Sequence, residues 1–357
     1  MTPRENYISI ARRKGYEYMP VSLNMSPSIR QKYEEYLATH ELELPAGEEC
    51  ISDLPADCLS PEEFRKRYYA HKDFRPGTFI DHWGVAHEPG SAAAYHMTYM
   101  HHPMEDFDSV EEIEAYPLPV FREEEGLLRQ KEETERIHKA GKPAMGIMQC
   151  TVWETSWYMR GMENLMCDMM SDDPMAEALL DRVTGLAVKR AVSYAKAGAD
   201  AIFLGDDVGM QRTIMMSETL YRDWLQPRLK RVIDAARAMN PEILVLYHSC
   251  GRVTEQIPYL IKAGIDVLDP VQPECMDFRE IHDRFGEVLS FHGTIGTQSV
   301  MPFGTPEEVR SKVFENLSIA GSKGGLFVCP THMLEPEVPI ENVVAYIEAC
   351  RDYTEGR

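Results

Sequence analysis

The chain has 357 residues, with 37 lysines and arginines against 58 aspartates and glutamates, a formal net charge of −21. That balance argues against an extended nucleic-acid groove or an anionic-membrane surface. Its 44% hydrophobic and 27% charged residues are ordinary for a globular protein, not for a disordered or collagen-like chain.

In chain order, Thr2–Lys14 has a helical pattern, Met19–Leu23 is a short apolar run that reads as a first strand, and Ser26–His40, Pro61–His71 and Phe121–Lys139 again look helical. Loops bearing Pro and Gly, such as Leu54-Pro-Ala and Arg75-Pro-Gly, separate them. Residues 1–140 are therefore expected to form an N-terminal helical extension and an insertion after the first strand. Residues 141–357 are expected to form the main part of the barrel. There, the runs Ala144–Met148, Ala201–Leu204, Ile243–Tyr247, Ile265–Leu268, Val288–Phe291 and Leu326–Cys329 read as buried strands. Between and after them, Asp173–Ala197, Ser217–Met239, Val253–Ala263, Met276–Phe285, Pro306–Ala320 and Ile340–Arg351 are amphipathic and of helical length. Strands apolar along their whole length have both faces covered, as in parallel α/β sheets. The expected fold is α/β, a (β/α)8 TIM barrel.

The start, Met1-Thr-Pro-Arg-Glu-Asn, lacks a signal-peptide pattern. No uncharged run approaches the ~18 apolar residues of a membrane span, so a soluble, cytoplasmic protein is expected. Its eight cysteines are scattered without a CxxC and read as reduced thiols, some available to metal. The 21 methionines bunch around Met97–Met104, Met159–Met170 and Met210–Met216. They read as adaptable core filler or as a deformable lining for an apolar ligand or docking partner.

Polar residues follow every strand of the main part. Met148 leads into Gln149 and on to Glu154, Leu204 into Asp206 and Asp207, and Tyr247 into His248 and Cys250. Leu268 leads into Asp269, Phe291 into His292 with Gln298 beyond, and Val328 into Cys329 and His332. In a parallel barrel these ends share one rim, where the βα loops build an active site. The pattern points to an enzyme.

An imidazole and a thiolate two residues apart after a strand suit zinc. His248-x-Cys250 alone is a weak motif, strengthened by Cys329 and His332 at another strand end. Glu154 could complete a four-ligand set or cap the helix that follows. Of Asp206 and Asp207, one could hold a substrate proton or a metal-bound water while the other caps or is solvated. Trp83, in the run Asp81–Gly84, could stand at the mouth of the site, and so could Trp153, Trp157 and Tyr158, although aromatics so spaced also suit a core. His101-His102 reads as surface loop.

The strings His248-Ser-Cys-Gly, Ala263-Gly-Ile-Asp-Val-Leu, Gly304-Thr-Pro-Glu-Glu-Val, Gly324-Gly-Leu-Phe-Val-Cys-Pro-Thr-His332 and Pro339-Ile-Glu-Asn-Val together resemble the uroporphyrinogen decarboxylase superfamily. The resemblance runs over roughly residues 75–352 and implies a (β/α)8 barrel. Within the superfamily the chain is more similar to the corrinoid-dependent methyltransferases, the O-demethylase and methylcobamide:coenzyme M enzymes, than to the decarboxylases. The arginine-bearing N-terminal segment with which decarboxylases grip porphyrin carboxylates has no counterpart beyond Arg12-Arg-Lys-Gly-Tyr16. His248-x-Cys250 matches the first half of the methyltransferase zinc motif. The third ligand of the coenzyme M enzymes, a cysteine after the last strand, corresponds by count from Pro330 to His332, with Cys329 three residues earlier; both stay candidates.

The resemblance implies zinc as a Lewis acid on the heteroatom that carries or loses the methyl group. It also implies a cobalamin (corrinoid) on a separate protein docked over the barrel mouth, because no Asp-x-His-x-x-Gly segment is present here. A proton donor to the leaving oxygen would be Asp207 or His292, with Asp206 beside them. Trp83, Trp153, Trp157, Tyr158, Met210 and Gln298 are the candidate substrate contacts, and the methionines and tryptophans suit a methoxylated aromatic donor. A methylcobamide:thiol methyltransferase, a decarboxylase and a barrel that only binds a tetrapyrrole are the alternatives, and pairing of two chains through the N-terminal helices stays open.

Overall fold

The computed structural model describes residues 1–40, 47–91 and 97–356. Among them, seven strands form one parallel sheet in chain order: β1 (Glu49–Ile51), β2 (Ala144–Gln149), β3 (Ala201–Gly205), β4 (Leu244–His248), β5 (Val267–Asp269), β6 (Ser290–His292) and β7 (Leu326–Phe327). Helices cover the sheet's outer face, giving the α/β barrel class expected. Pro174–Ala197 packs on Gln226–Met239 and on Glu123–Lys139, and Pro306–Ala320 packs on Ile340–Glu355.

Alternation along the strands sorts the core into two sets. Val245, Tyr247, Ile202, Leu204 and Leu268 belong to the large cluster shared with the helices. Met145, Ala201, Leu244, Leu246, Val267 and Phe327 form the smaller inner cluster, with Ile147 and Phe203 against it. The helix Pro3–Ala11 adds Tyr7, Ile10 and Ala11 to the inner cluster and so plugs the barrel from below. Thr2 starts that helix with a capping box to Glu5.

Close contact of helix and sheet requires glycine at one point. A Cβ on Gly146 of β2 would lie 2.5 Å from the Tyr194 ring, so only hydrogen lets the helix approach. The expected helix over Ser217–Met239 is divided by a π-turn at Tyr221–Leu225, and Pro227 stands in the first turn of the helix that follows. Proline lacks the N–H that would continue the preceding ladder.

The first strand differs from expectation. Met19–Leu23 joins no strand, and β1 is Glu49–Ile51, paired with β2 from Glu49↔Ala144 to Ile51↔Gly146. Pro20 cannot donate to a ladder. The neighbouring amides go to side chains instead, Met19 N to Thr354 Oγ1 at 3.1 Å and Ser22 N to the Tyr346 hydroxyl at 3.4 Å. The insertion also holds a three-stranded antiparallel sheet, Phe79–Ile80, Ala86–Pro89 and Thr98–His101. No described helix is long and apolar enough to cross a membrane.

Candidate functional site

Register places the polar residues. Gln149 pairs with Gly205, Gly205 with His248, and His248 with Asp269, so four strand ends stand level. The parity that sends Leu244 and Leu246 into the barrel also sends His248 inward, and the same step of two from Val267 reaches Asp269. His292 lies one strand further on, and Cys329 lies two residues past the inward Phe327. Phe203 forms a floor beneath both imidazoles, its ring 6.2 Å from His248 and 6.2 Å from His292.

Gly205 is the second position where glycine is required. A Cβ there would stand 2.7 Å from the Cβ of His248. Its absence lets the imidazole lie across the end of β3.

Asp207, His248 and Cys250 offer ligand atoms that all lie within 4.8 Å of one another. Cys250 Sγ is 3.4 Å from His248 Nε2, Asp207 Oδ1 is 3.8 Å from that same nitrogen, and the Cys250 amide donates to Asp207 Oδ1 at 2.7 Å. Beneath them, Asp269 accepts from Nδ1 of His248 through Oδ2, and from Nδ1 of His292 through Oδ1 at 2.5 Å. Cys329 Sγ lies 3.4 Å from His292 Nε2. Burial alone would raise the Asp269 carboxyl, but the charge of His292 and the hydrogen bond from His248 hold it down at about 2. Burial opposes the charged form of His248, and Asp269 outweighs it, raising the imidazole well above its usual range.

Glu154 stands on the other side of Asp207. Its Oε2 accepts from the Asp207 amide at 3.1 Å and its Oε1 from the Tyr158 hydroxyl at 2.9 Å. Burial, then the Asp207 carboxylate, pushes its carboxyl up to about 7.

Asp206 lies differently from Asp207. It is buried, and its carboxylate accepts from the amides of Val152 at 3.1 Å and Glu154 at 2.9 Å, at the start of the helix Trp153–Arg160. That is the capping position the sequence left open between the two aspartates. Burial and the nearby Glu154 push its carboxyl well above the usual range.

The structure therefore brings together Glu154, Asp207, His248 and Cys250, with His292 and Cys329 joined to them through Asp269. The His332 ring is 6.3 Å from that of His248. Tyr158 joins through Glu154, and Trp157 packs on it with ring centroids 4.3 Å apart. His102, expected as surface loop, is partly buried there, with Nδ1 donating to the Tyr158 carbonyl at 2.8 Å. Trp153 is fully buried in the main core. Trp83 sits in the turn between Phe79–Ile80 and Ala86–Pro89 with its ring on His82. Met210 is half exposed and bridges Arg252, and Gln298 accepts from Gln211 at 3.2 Å. Asp269 was noted only as a strand end, and strand parity is the signal that marks it.

A model of the uroporphyrinogen decarboxylase (URO-D) family matches residues 90–353. The chain belongs to the uroporphyrinogen decarboxylase family. Among its relatives is the methylated-thiol–coenzyme M methyltransferase of Methanosarcina mazei, 28% identical over 204 residues, which are 55% of this chain and 49% of that protein. A uroporphyrinogen decarboxylase of a Synechococcus species is 27% identical over 184 residues, 51% of this chain and 49% of that one. These matches span about half the length of each curated relative. The solved structure of a methyltransferase from Methanosarcina mazei superposes with a TM-score of 0.60, covering 99% of both chains at 15% identity, a likeness of fold. The relatives of this chain thus include both a methyltransferase and decarboxylases, and chemistry has to be argued from the site.

Proposed function

We propose that this chain is a zinc-dependent methyltransferase. It takes the methyl group of a methoxylated aromatic donor and passes it to the Co(I) corrinoid of a separate protein that docks over the barrel mouth. The observation that carries the reading is the meeting of Asp207, His248 and Cys250 at the strand ends. One carboxylate, one imidazole and one thiol, drawn from two adjacent strand ends, are a donor set that suits zinc and leaves a position for substrate. Bound there, zinc supplies Lewis acidity to the ether oxygen, whose departure as phenolate is otherwise unfavourable at neutral pH.

The chain's own residues do the rest. His248 and Cys250 would hold the metal, with Asp207 as third ligand. Trp157 and Tyr158 offer aromatic faces to the ring of the donor, and Met210 and Gln298 form the rim. His292, with Nδ1 fixed on Asp269, is the proton source for the leaving oxygen. A second reading, transfer between methylcobamide and a thiol, is favoured by the methylated-thiol relative from Methanosarcina mazei.

The test has two parts. Purified protein is expected to hold one zinc per chain, and the variants His248→Ala and Cys250→Ser to lose it. Methyl transfer to Co(I) from a panel of methoxybenzenes, compared with thiol methylation by methylcobalamin, separates the two readings. A protein that takes up no zinc and decarboxylates a porphyrinogen would refute both.

A further inference from the structure

We infer that Asp269 is a positioning residue that sets which nitrogen His248 presents to the metal and holds His292 in the same arrangement. The inference deepens the zinc reading and rests on it. The Asp269 side chain is 6% exposed, and each of its oxygens is taken by one imidazole Nδ1. A carboxylate oxygen can only accept, so both Nδ1 atoms must carry hydrogen. That leaves Nε2 of His248 as the nitrogen that faces Cys250 Sγ at 3.4 Å and Asp207 at 3.8 Å. Cys329 Sγ lies beside the His292 ring, 3.4 Å from Nε2 and 3.5 Å from Nδ1. One carboxylate therefore orients two imidazoles, one on either of its oxygens.

The carboxylate is itself fixed. The main-chain oxygen of Asp269 accepts from the Ser249 amide at 2.7 Å, and a Cβ on Gly293 would come within 3.0 Å of Oδ1, so the glycine keeps that oxygen accessible to His292. With both oxygens bound, neither imidazole can rotate without leaving a buried carboxylate oxygen unpaired. A carboxylate on the far nitrogen of a metal-bound histidine orients the ring and strengthens it as a donor, and its loss lowers metal affinity by about 10–100-fold.

The test measures zinc affinity by chelator competition in the wild type, Asp269→Asn and His292→Gln. Asp269→Asn is expected to weaken zinc by roughly 10–100-fold, because an amide can accept from only one of the two imidazoles. His292→Gln leaves the His248 contact in place and is expected to weaken zinc much less than Asp269→Asn does. Equal losses in the two variants, or no loss in Asp269→Asn, would overturn the inference. Histidine 15N spectra of the unaltered zinc-loaded protein give a readout independent of folding defects. Nδ1–H on His248 with Nε2 on the metal supports the assignment, and zinc on Nδ1 overturns it. If the wild type binds no zinc, the functional reading fails instead, while Nδ1–H signals of the two histidines in the metal-free protein still report on Asp269.

Discussion

Replacing Gly205 by alanine tests the site through a residue that touches no ligand. The new Cβ would stand 2.7 Å from His248 Cβ and 3.0 Å from the His248 carbonyl oxygen. Carbon atoms in contact prefer ~3.5–4.0 Å, so something must move by roughly 1 Å. Gly205 cannot easily be the one to move, since its amide donates to Thr151 Oγ1 at 2.9 Å and its carbonyl accepts from the Thr151 amide at 2.8 Å. His248 is therefore displaced. Overpacking of this kind costs about 1–3 kcal/mol, a fall of a few degrees in Tm. Metal sites tolerate ligand distances to only about ±0.2 Å, so zinc binding should suffer far more than folding. The assay is zinc content after dialysis against a weak chelator, measured beside thermal unfolding of the metal-free protein. We expect well under half the wild-type zinc on a folded protein. Full zinc at wild-type affinity would refute the reasoning, because it would mean that His248 need not lie where Gly205 permits.

Asp206→Ala removes the acceptor of two amides at the start of the helix Trp153–Arg160 and should cost about 1–3 kcal/mol in urea unfolding, with zinc content unchanged. Loss of zinc from a folded Asp206→Ala protein would instead place Asp206 in the metal site. Arg160 is buried, pairs with Asp168 at 2.9 Å and donates to the carbonyls of Met104 and Phe107, both at 2.8 Å. Arg160→Ala strands that carboxylate and should cost about 3–5 kcal/mol; a loss below about 1 kcal/mol would mean that water or a rearranged loop takes the place of the guanidinium. Cys329→Ser should keep zinc, and zinc-edge absorption of the wild type should count one sulfur, if Asp207 is the third ligand. Two sulfurs would put Cys329 in its place, turned away from His292.

Most of the barrel could be read from runs of apolar residues because parallel strands under helices are dry on both faces. Ala144–Met148, Ala201–Leu204 and Ile243–Tyr247 each fall within a residue or two of β2, β3 and β4. The same criterion failed at the seam. Met19, Pro20 and Val21 are buried and so read as apolar, yet Pro20 and the side-chain partners of the neighbouring amides keep the segment out of a ladder. Glu49–Ile51 does form a ladder, but it is three residues long with exposed Cys50 at its centre, too short and too polar to give a hydrophobic signal. The strands Phe79–Ile80, Ala86–Pro89 and Thr98–His101 escaped for a related reason. Their alternation is broken by polar residues that pair with one another, His87 with Asp81 at 3.0 Å and His101 with Glu88 at 3.0 Å, and only Ile80, Ala86 and Met100 turn to the core.

The site depended on a distinction that apolar runs conceal. When both faces of a strand are buried, Leu244, Val245, Leu246 and Tyr247 look alike, and nothing in their chemistry says which ones point into the barrel. Once Leu246 is known to point inward, stepping by two reaches His248, and from Val267 it reaches Asp269. His332 lies five residues from Phe327, beyond any strand, and meets His248 from the loop. Cys329 and His332 both lie beyond the last strand, where the alternation no longer holds, and Cys329 packs with the large cluster shared with the helices while its sulfur meets His292. Asp269, reached by the same parity, is buried with each oxygen engaged by one imidazole N–H, so its influence on an ion at Asp207, His248 and Cys250 passes through the histidines it holds.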